Sequence, residues 1–261
     1  MAATDSGVGA ARAALDAILA VVLSPSCAAC DHLLEQPTRG PVCPACWASI
    51  LPLTPPLCEQ CGDPLPTWRA ISVPLARCPR CRRAPRFVAR ARAIGTYDGA
   101  LRAVVHALKY QGRRSLARPL ARLMRVRGAD VLEGATCVVP VPLHASRLRQ
   151  RGFNQAKDLA RLLQLPVVPA LRRIRATATQ TDLPAAQRHR NVRGAFAVTR
   201  AAASLVGAIA VLVDDVSTTG ATLEACARVL KEAGVKEVRA LTAARVVSSR
   251  ESVVGGRVGS Q

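Results

Sequence analysis

Beyond residue 90 the chain alternates between short unbroken apolar runs and segments where apolar positions recur every three or four residues. In "ALRAVVHALKYQG" Leu101, Val104, Val105 and Leu108 keep the 3.6-residue period and Gly112 closes the element, so a helix is expected. A second helix is expected from about Ser115 to Val126. "CVVPVPL" reads as a buried strand, "NQAKDLARLLQL" as a helix and "AIAVLV" as another buried strand. The helix "GATLEACARVLKEAG" and the strand "EVRALTAARV" follow. Apolar strands alternating with helices predict an α/β domain built on a parallel sheet. Ahead of it "RRAPRFVARARAIGTYDG" reads as a linker and then an extended edge, with a turn at Tyr97, Asp98 and Gly99. The segment Gly9 to Leu23 is apolar but broken by Arg12 and Asp16, and it falls short of the ~20 residues a membrane span requires. An amphipathic helix is expected there, and a frayed Gly-, Ser- and Arg-rich tail from Ser248 to Gln261.

Between these segments the apolar signal fades and cysteine replaces it. Eight of the ten cysteines form four Cys-x-x-Cys pairs: Cys27 and Cys30, Cys43 and Cys46, Cys58 and Cys61, Cys78 and Cys81. Two residues between thiolates let both sulfurs of a tight turn face one metal, and a second pair completes a closed tetrahedral site. The spacing points to one or two structural zinc ions. Sequential pairing is simplest, and a crossed arrangement of the middle pairs stays open. Disulfides would need an oxidising compartment, and the first eleven residues, whose only charged side chain is Asp5, do not resemble a secretory signal. A cytoplasmic location is expected. From Asp31 to Arg77 apolar residues are few and prolines many, so metal binding would supply the folding energy. Cys137 and Cys226 stand apart and read as ordinary buried residues.

Composition adds a partner class. The formal net charge is +20, with 37 Lys and Arg of which only four are Lys, and a field of that size favours a polyanionic partner or a phosphorylated substrate. Only seven aromatic side chains are present, which argues against an extensive base-stacking surface and for backbone-directed contact if nucleic acid is bound.

Yet no Lys or Arg lies between Ala201 and Ala227, where "VLVDDVSTTGATLEACARVL" carries an apolar run into Asp214 and Asp215. A helix amino terminus presents unpaired N–H groups and about half a positive charge, enough to hold a phosphate without a basic side chain. Ser217, Thr218, Thr219 and Thr222 add hydroxyls, Gly220 permits close backbone approach, and Val216 and Ala221 complete the loop. Two aspartates have the wrong sign for phosphate and should face hydroxyl groups or a divalent cation on the same ligand, so a phosphorylated sugar satisfies both halves. A P-loop is excluded because its lysine is missing, and Val216 breaks the Asp-x-Asp of a phosphatase nucleophile. An acidic N-cap on a surface helix would account for one aspartate and one hydroxyl, not for the run. A second loop, "HASRLRQRGFNQAKDLA", brings Arg147, Arg149 and Arg151, then Gly152 and Phe153, to a helix expected to begin near Asn154. That loop suits pyrophosphate.

"VLVDDVSTTGATL" resembles the signature of type I phosphoribosyltransferases, which bind phosphoribosyl pyrophosphate (PRPP). "RGF" before a helix is similar to the pyrophosphate loop of adenine phosphoribosyltransferases. The four cysteine pairs, "LKYQG" at Leu108 to Gly112, "VPVPLH", "RGFNQ" and "QTDLPAAQRHRNVRGAF" together resemble the ComF/GntX family from Cys27 to about Ala244. The resemblance implies a parallel sheet with helices on both faces at 92–247 and a double zinc ribbon at 25–84, to which composition adds an N-terminal helix at 1–24 and a flexible tail at 248–261. It implies that Asp214 and Asp215 hold ribose hydroxyls and that 216–222 binds the 5′-phosphate. Arg149, Arg151, Gly152, Phe153 and Asn154 would take the pyrophosphate, with Mg²⁺ accompanying PRPP. Arg172 to Arg193 would be a mobile lid with Gln180 and Arg188 as contacts, or a solvated basic loop. Two functions follow from the resemblance: a phosphoribosyltransferase linked to DNA uptake in natural competence, its acceptor unidentified, or a non-catalytic PRPP-responsive accessory factor. Single-stranded DNA and other competence proteins are the macromolecular partners it suggests.

Overall fold

Unbroken Val, Ile, Leu and Ala runs suit strands covered on both faces, and the computed structural model places four such runs side by side in one parallel sheet. It describes residues 4–65, 77–175, 192 and 194–247. Helix α1 (Thr4–Leu23) leads into the cysteine region, where α2 (Pro44–Ala48) and α3 (Pro79–Arg83) each begin on a proline directly after a cysteine. There follow β1 (Val88–Thr96), α4 (Gly99–Tyr110), α5 (Ala117–Arg127), α6 (Ala129–Leu132) and β2 (Cys137–Pro140). Next come α7 (Ala145–Arg151), α8 (Gln155–Ala160), β3 (Leu171–Arg173), β4 (Phe196–Val198), β5 (Ile209–Ser217), α9 (Ala221–Glu232) and β6 (Glu237–Arg245). The sheet order is β1-β6-β5-β2, every neighbouring pair parallel, while β3 and β4 form a separate antiparallel pair.

Alternation along the strands divides the core into two layers. Val138, Val211, Val213 and Leu241 pack with Leu101, Leu120 and Leu159 of α4, α5 and α8. Val139, Ala210, Leu212 and Ala240 pack with Cys226 and Leu230 of α9. Helices therefore lie on both faces, and Cys137 and Cys226 are buried as the sequence suggests. Asp98 starts α4 by accepting from Gly99 N at 2.8 Å. The helix expected over Asn154 to Leu165 is shorter, because after Ala160 the chain tightens into i→i+3 bonds (Leu162 N to Leu159 O, Leu163 N to Ala160 O) and turns at left-handed Gln164. The segment expected as a lid or loop from Arg172 opens instead on β3, which pairs with β4. Its contacts Gln180 and Arg188, and the 248–261 tail, lie outside the described residues.

The cysteine region shares the core of the larger domain. Cys27, Leu34, Val42 and Ile50 belong to the same apolar cluster as Ile94 and Leu101. Its backbone also covers the outer edge of β1, where Ala91 N donates to Gln60 O at 2.8 Å and Thr96 N to Leu51 O at 3.1 Å. The approach is close enough to require glycine. A Cβ at Gly95 would meet Leu51 O, and one at Gly62, whose φ is +73°, would lie 2.7 Å from Ala91 O. Helix α1 is tied to this region by Asp16, which accepts from Thr38 N at 2.8 Å and Thr38 Oγ1 at 3.0 Å. Among the described residues no helix is long and apolar enough to cross a membrane.

Candidate functional site

The eight paired cysteines gather into two tetrads, Cys27, Cys30, Cys43, Cys46 and Cys58, Cys61, Cys78, Cys81, each with its sulfurs within 4.8 Å of one another. The pairing is thus sequential. Zinc held at about 2.3 Å by four thiolates sets sulfur–sulfur edges near ~3.8 Å. Cys30 to Cys43 is 3.9 Å and Cys61 to Cys78 is 3.6 Å, so both tetrads fit the ion. The hydrogen bonds shared within the second tetrad, that between Cys58 and Cys61 first, pull the Cys58 thiol far below its ordinary value and push that of Cys61 above it.

The two loops singled out in the sequence leave the carboxyl ends of adjacent strands, since β2 pairs with β5 through Pro140 and Val213. In parallel α/β sheets this edge is where ligands collect. On the β5 side, Ser217 is 4% exposed. Gly220 turns the chain at φ +77° and α9 opens at Ala221, with Thr219 Oγ1 accepting from Ala221 N at 3.4 Å and no side chain of Gly220 to cap it. The acid in its first turn, Glu224, is already engaged, accepting from Phe87 N at 2.9 Å and facing Arg86 at 3.6 Å.

Asp215 is 3% exposed and its Oδ1 lies 2.9 Å from Lys109 Nζ, at the end of α4. Its Oδ2 is buried with no hydrogen-bond partner among the described residues. Burial alone would lower the Lys109 pKa, but the Asp215 carboxylate outweighs it and leaves the ammonium more basic than usual. Asp214 is half-buried, and burial followed by the charge of Asp215 pushes its pKa up to about 7. Lys109, and then Arg173 on β3, pull it back. Both carboxylates offer the oxygen donors that sugar hydroxyls or a hard divalent cation take, and the orphaned Oδ2 of Asp215 fits either.

On the β2 side the chain first winds α7, a helix the sequence did not suggest, capped by His144 and ended by left-handed Gly152. Asn154 caps α8, accepting from Ala156 N at 3.0 Å and donating to Val141 O at 3.0 Å. Arg151 Nη1 reaches Gln155 Oε1 at 3.4 Å, and its guanidinium lies 4.7 Å over the Tyr110 ring. Arg149 is exposed, and Phe153 is half-buried beneath Arg114. Arg147 and Arg173 are close enough for the charge of one to lower the pKa of the other, after burial.

Four residues of this site were given no role of their own from the sequence: Lys109 and Tyr110, inside "LKYQG", Arg173, inside the 172–193 segment, and Arg245. Lys109 and Tyr110 are consecutive, and they grip the two loops from one helix end, Lys109 on Asp215 and Tyr110 on Arg151. A signal existed. In a chain with only four Lys among 37 basic residues, a lysine inside a helix of otherwise apolar period marks a place where a compact ammonium is wanted. A basic side chain from outside the 201–227 stretch also stands beside this loop: Arg245 Nη1 lies 3.4 Å from Ser217 Oγ, because parallel register sets Ser217 beside Arg245.

Comparison with known proteins agrees with this layout. Residues 148–256 match the phosphoribosyl transferase domain, and residues 18–82 match the double zinc ribbon domain. The DNA utilization protein YhgH of Salmonella typhimurium is 35% identical over 193 residues, spanning 70% of this chain and 81% of YhgH. The chain belongs to the ComF family. ComF members also include competence protein F of Haemophilus influenzae, 29% identical over 84% of this chain and 96% of the relative. Competence protein ComFC of Bacillus subtilis is 27% identical over 74% and 79%. In this ComF chain the family's two parts are one packed body, the zinc ribbon closing the β1 edge.

Proposed function

We propose that the phosphoribosyltransferase domain binds PRPP with Mg²⁺ and transfers the phosphoribosyl group to an acceptor, in a role linked to the use of imported DNA. The observation that carries this reading is the acid pair on β5 running directly into a hydroxyl loop at the start of a twelve-residue helix, with Arg147, Arg149 and Arg151 on the short helix that follows the neighbouring strand. In this reading the N–H groups and hydroxyls of 216–222 hold the 5′-phosphate, and Asp214 and Asp215 accept hydrogen bonds from the ribose hydroxyls. Arg149, Arg151 and the backbone of Gly152, Phe153 and Asn154 receive the pyrophosphate. Magnesium, when bound, neutralises charge on the departing pyrophosphate. The bond from the anomeric carbon to pyrophosphate oxygen breaks with its electron pair leaving on oxygen, and the acceptor's lone pair forms the new bond. No protein nucleophile is required, so the chain's contribution is orientation and charge stabilisation. The names of the relatives, competence protein and DNA utilization protein, support the link to DNA. The zinc ribbon and the +20 charge support backbone-directed nucleic-acid contact.

Calorimetric titration with PRPP and Mg²⁺, followed by pyrophosphate release over a panel of bases and amines, tests the proposal. Binding with turnover on an acceptor is expected, and Asp214→Asn with Asp215→Asn should abolish binding while leaving DNA affinity at least as strong. A double variant that binds PRPP normally would refute the site, and binding without turnover would favour the sensor role.

A further inference from the structure

The second cysteine tetrad reaches into the phosphate loop. Asp63, two residues past Cys61, holds Arg245 Nε through Oδ1 and Arg80 Nη2 at 3.0 Å through Oδ2. Arg245 ends β6, is 3% exposed and stands in register beside Ser217. Its Nη1 lies 3.4 Å from Ser217 Oγ, and Val246 N donates to Ser217 O at 2.9 Å. Cys61, Arg80, Arg245, Ser217, Thr219 and Gly220 share the lining of one cavity of about 20 Å³ between the metal knuckle and the loop.

We infer that Asp63 and Arg245 are positioning residues through which the second metal knuckle sets the 5′-phosphate loop, an inference that rests on the reading of that loop given above. A guanidinium has five donors and no acceptor, so Arg245 occupies a lone pair of Ser217 Oγ and leaves the hydroxyl proton free to donate outward. The same group puts a buried positive charge directly behind a stretch, Ala201 to Ala227, that has none of its own. Burying that charge requires a partner, and Asp63 supplies it from a segment whose conformation depends on the tetrad. Zinc with four thiolates would carry a formal charge of about −2, which adds to the hold on Arg80 and Arg245. The chain thereby couples occupancy of a structural metal site to the shape of a ligand loop.

The test uses the full chain loaded with zinc, with ribose 5-phosphate and Mg²⁺–pyrophosphate as separate calorimetric probes. Asp63→Asn should weaken ribose 5-phosphate about tenfold, equal to about 1.4 kcal/mol, while pyrophosphate affinity stays within about twofold and zinc stays at two per chain. Arg245→Met should do the same, and the double variant should lose no more than Arg245→Met alone. Arg245→Lys, which keeps the charge but not the fork, should fall between, and it carries the test if Asp63→Asn does not fold. Unchanged ribose 5-phosphate affinity overturns the relay, and so does equal loss of both probes or loss of zinc, since either marks a merely structural role. A wild-type chain that does not bind ribose 5-phosphate would instead remove the loop reading itself, so the two failures are distinct.

Discussion

Replacing Lys109 by Met should unfold this protein at a markedly lower temperature. Lys109 Nζ and Asp215 Oδ1 are 2.9 Å apart, with side chains 16% and 4% exposed. At an effective dielectric of about 20, unit charges at that separation attract by about 6 kcal/mol, much of which offsets the cost of taking both from water. Removing only the ammonium leaves a buried carboxylate whose Oδ2 already has no hydrogen-bond partner among the described residues, a situation that costs about 3–5 kcal/mol. For a chain of this size the unfolding midpoint should fall by roughly 6–20 °C. Scanning calorimetry of Lys109→Met, Asp215→Asn and the double variant checks the sum. The pair predicts a double variant less damaged than the two singles added together, by more than about 1 kcal/mol. Strict additivity, or a Lys109→Met midpoint within about 1 °C of wild type, would refute the claim that this pair is a buried clamp.

The raised Asp214 pKa makes the ligand-free fold pH-sensitive: an acid titrating near 7 when folded and about 3.8 when unfolded binds more protons in the native state, so this group's contribution falls as pH climbs from about 4 to about 7 and is flat above. Urea midpoints of wild type against Asp214→Asn across that window should converge at low pH and separate at high pH. Tyr110→Leu removes the ring beneath Arg151 and should weaken Mg²⁺–pyrophosphate by about two- to fivefold, read by calorimetry, with ribose 5-phosphate unaffected. Metal analysis should find two zinc ions per chain, and stripping them with a strong chelator should abolish cooperative unfolding of the cysteine region. A chain begun at Pro85 exposes the β1 edge and should elute as aggregate in size-exclusion chromatography.

The parts of the fold legible in the sequence were those set by local rules. Helix α4 followed from its period and its Gly112 stop, the sheet from apolar runs, and the tetrads from spacing that permits one closed site per two pairs. The hydroxyl loop and α9 opening were equally local, a strand, a glycine and a helix in order. What local rules could not supply were partners distant along the chain. Lys109 precedes Asp215 by about a hundred residues, and Asp63 lies further still from Arg245; only strand register and the packing of α4 on the sheet bring them together. Helix α7 was hidden because "ASRLRQR" has no buried face, so its hydrophobic pattern carries no period to detect.

The same reasoning explains why a metal module is fused to this sheet. Strand β1 sits at an edge, and an edge strand in a parallel sheet offers unpaired N–H and C=O groups that the alternating helices, which cover faces, do not reach. Prolines and cysteines cannot build a core of their own, but two metal-fixed knuckles can hold a backbone rigid enough to present carbonyls that accept from Ala91 N and Thr96 N. Rigidity also demands glycine where the chains meet, at Gly62 and Gly95, since a Cβ at either would strike a carbonyl oxygen. Once that edge is closed, β6 is an interior strand with β1 on one side and β5 on the other, and its last residue, Arg245, is enclosed between Asp63 and Ser217. The edge cover and the loop brace are therefore one piece of structure, and a change that loosens the second tetrad should be felt at Ser217 before it is felt at Arg151, whose supports, Tyr110 and Gln155, lie on α4 and α8.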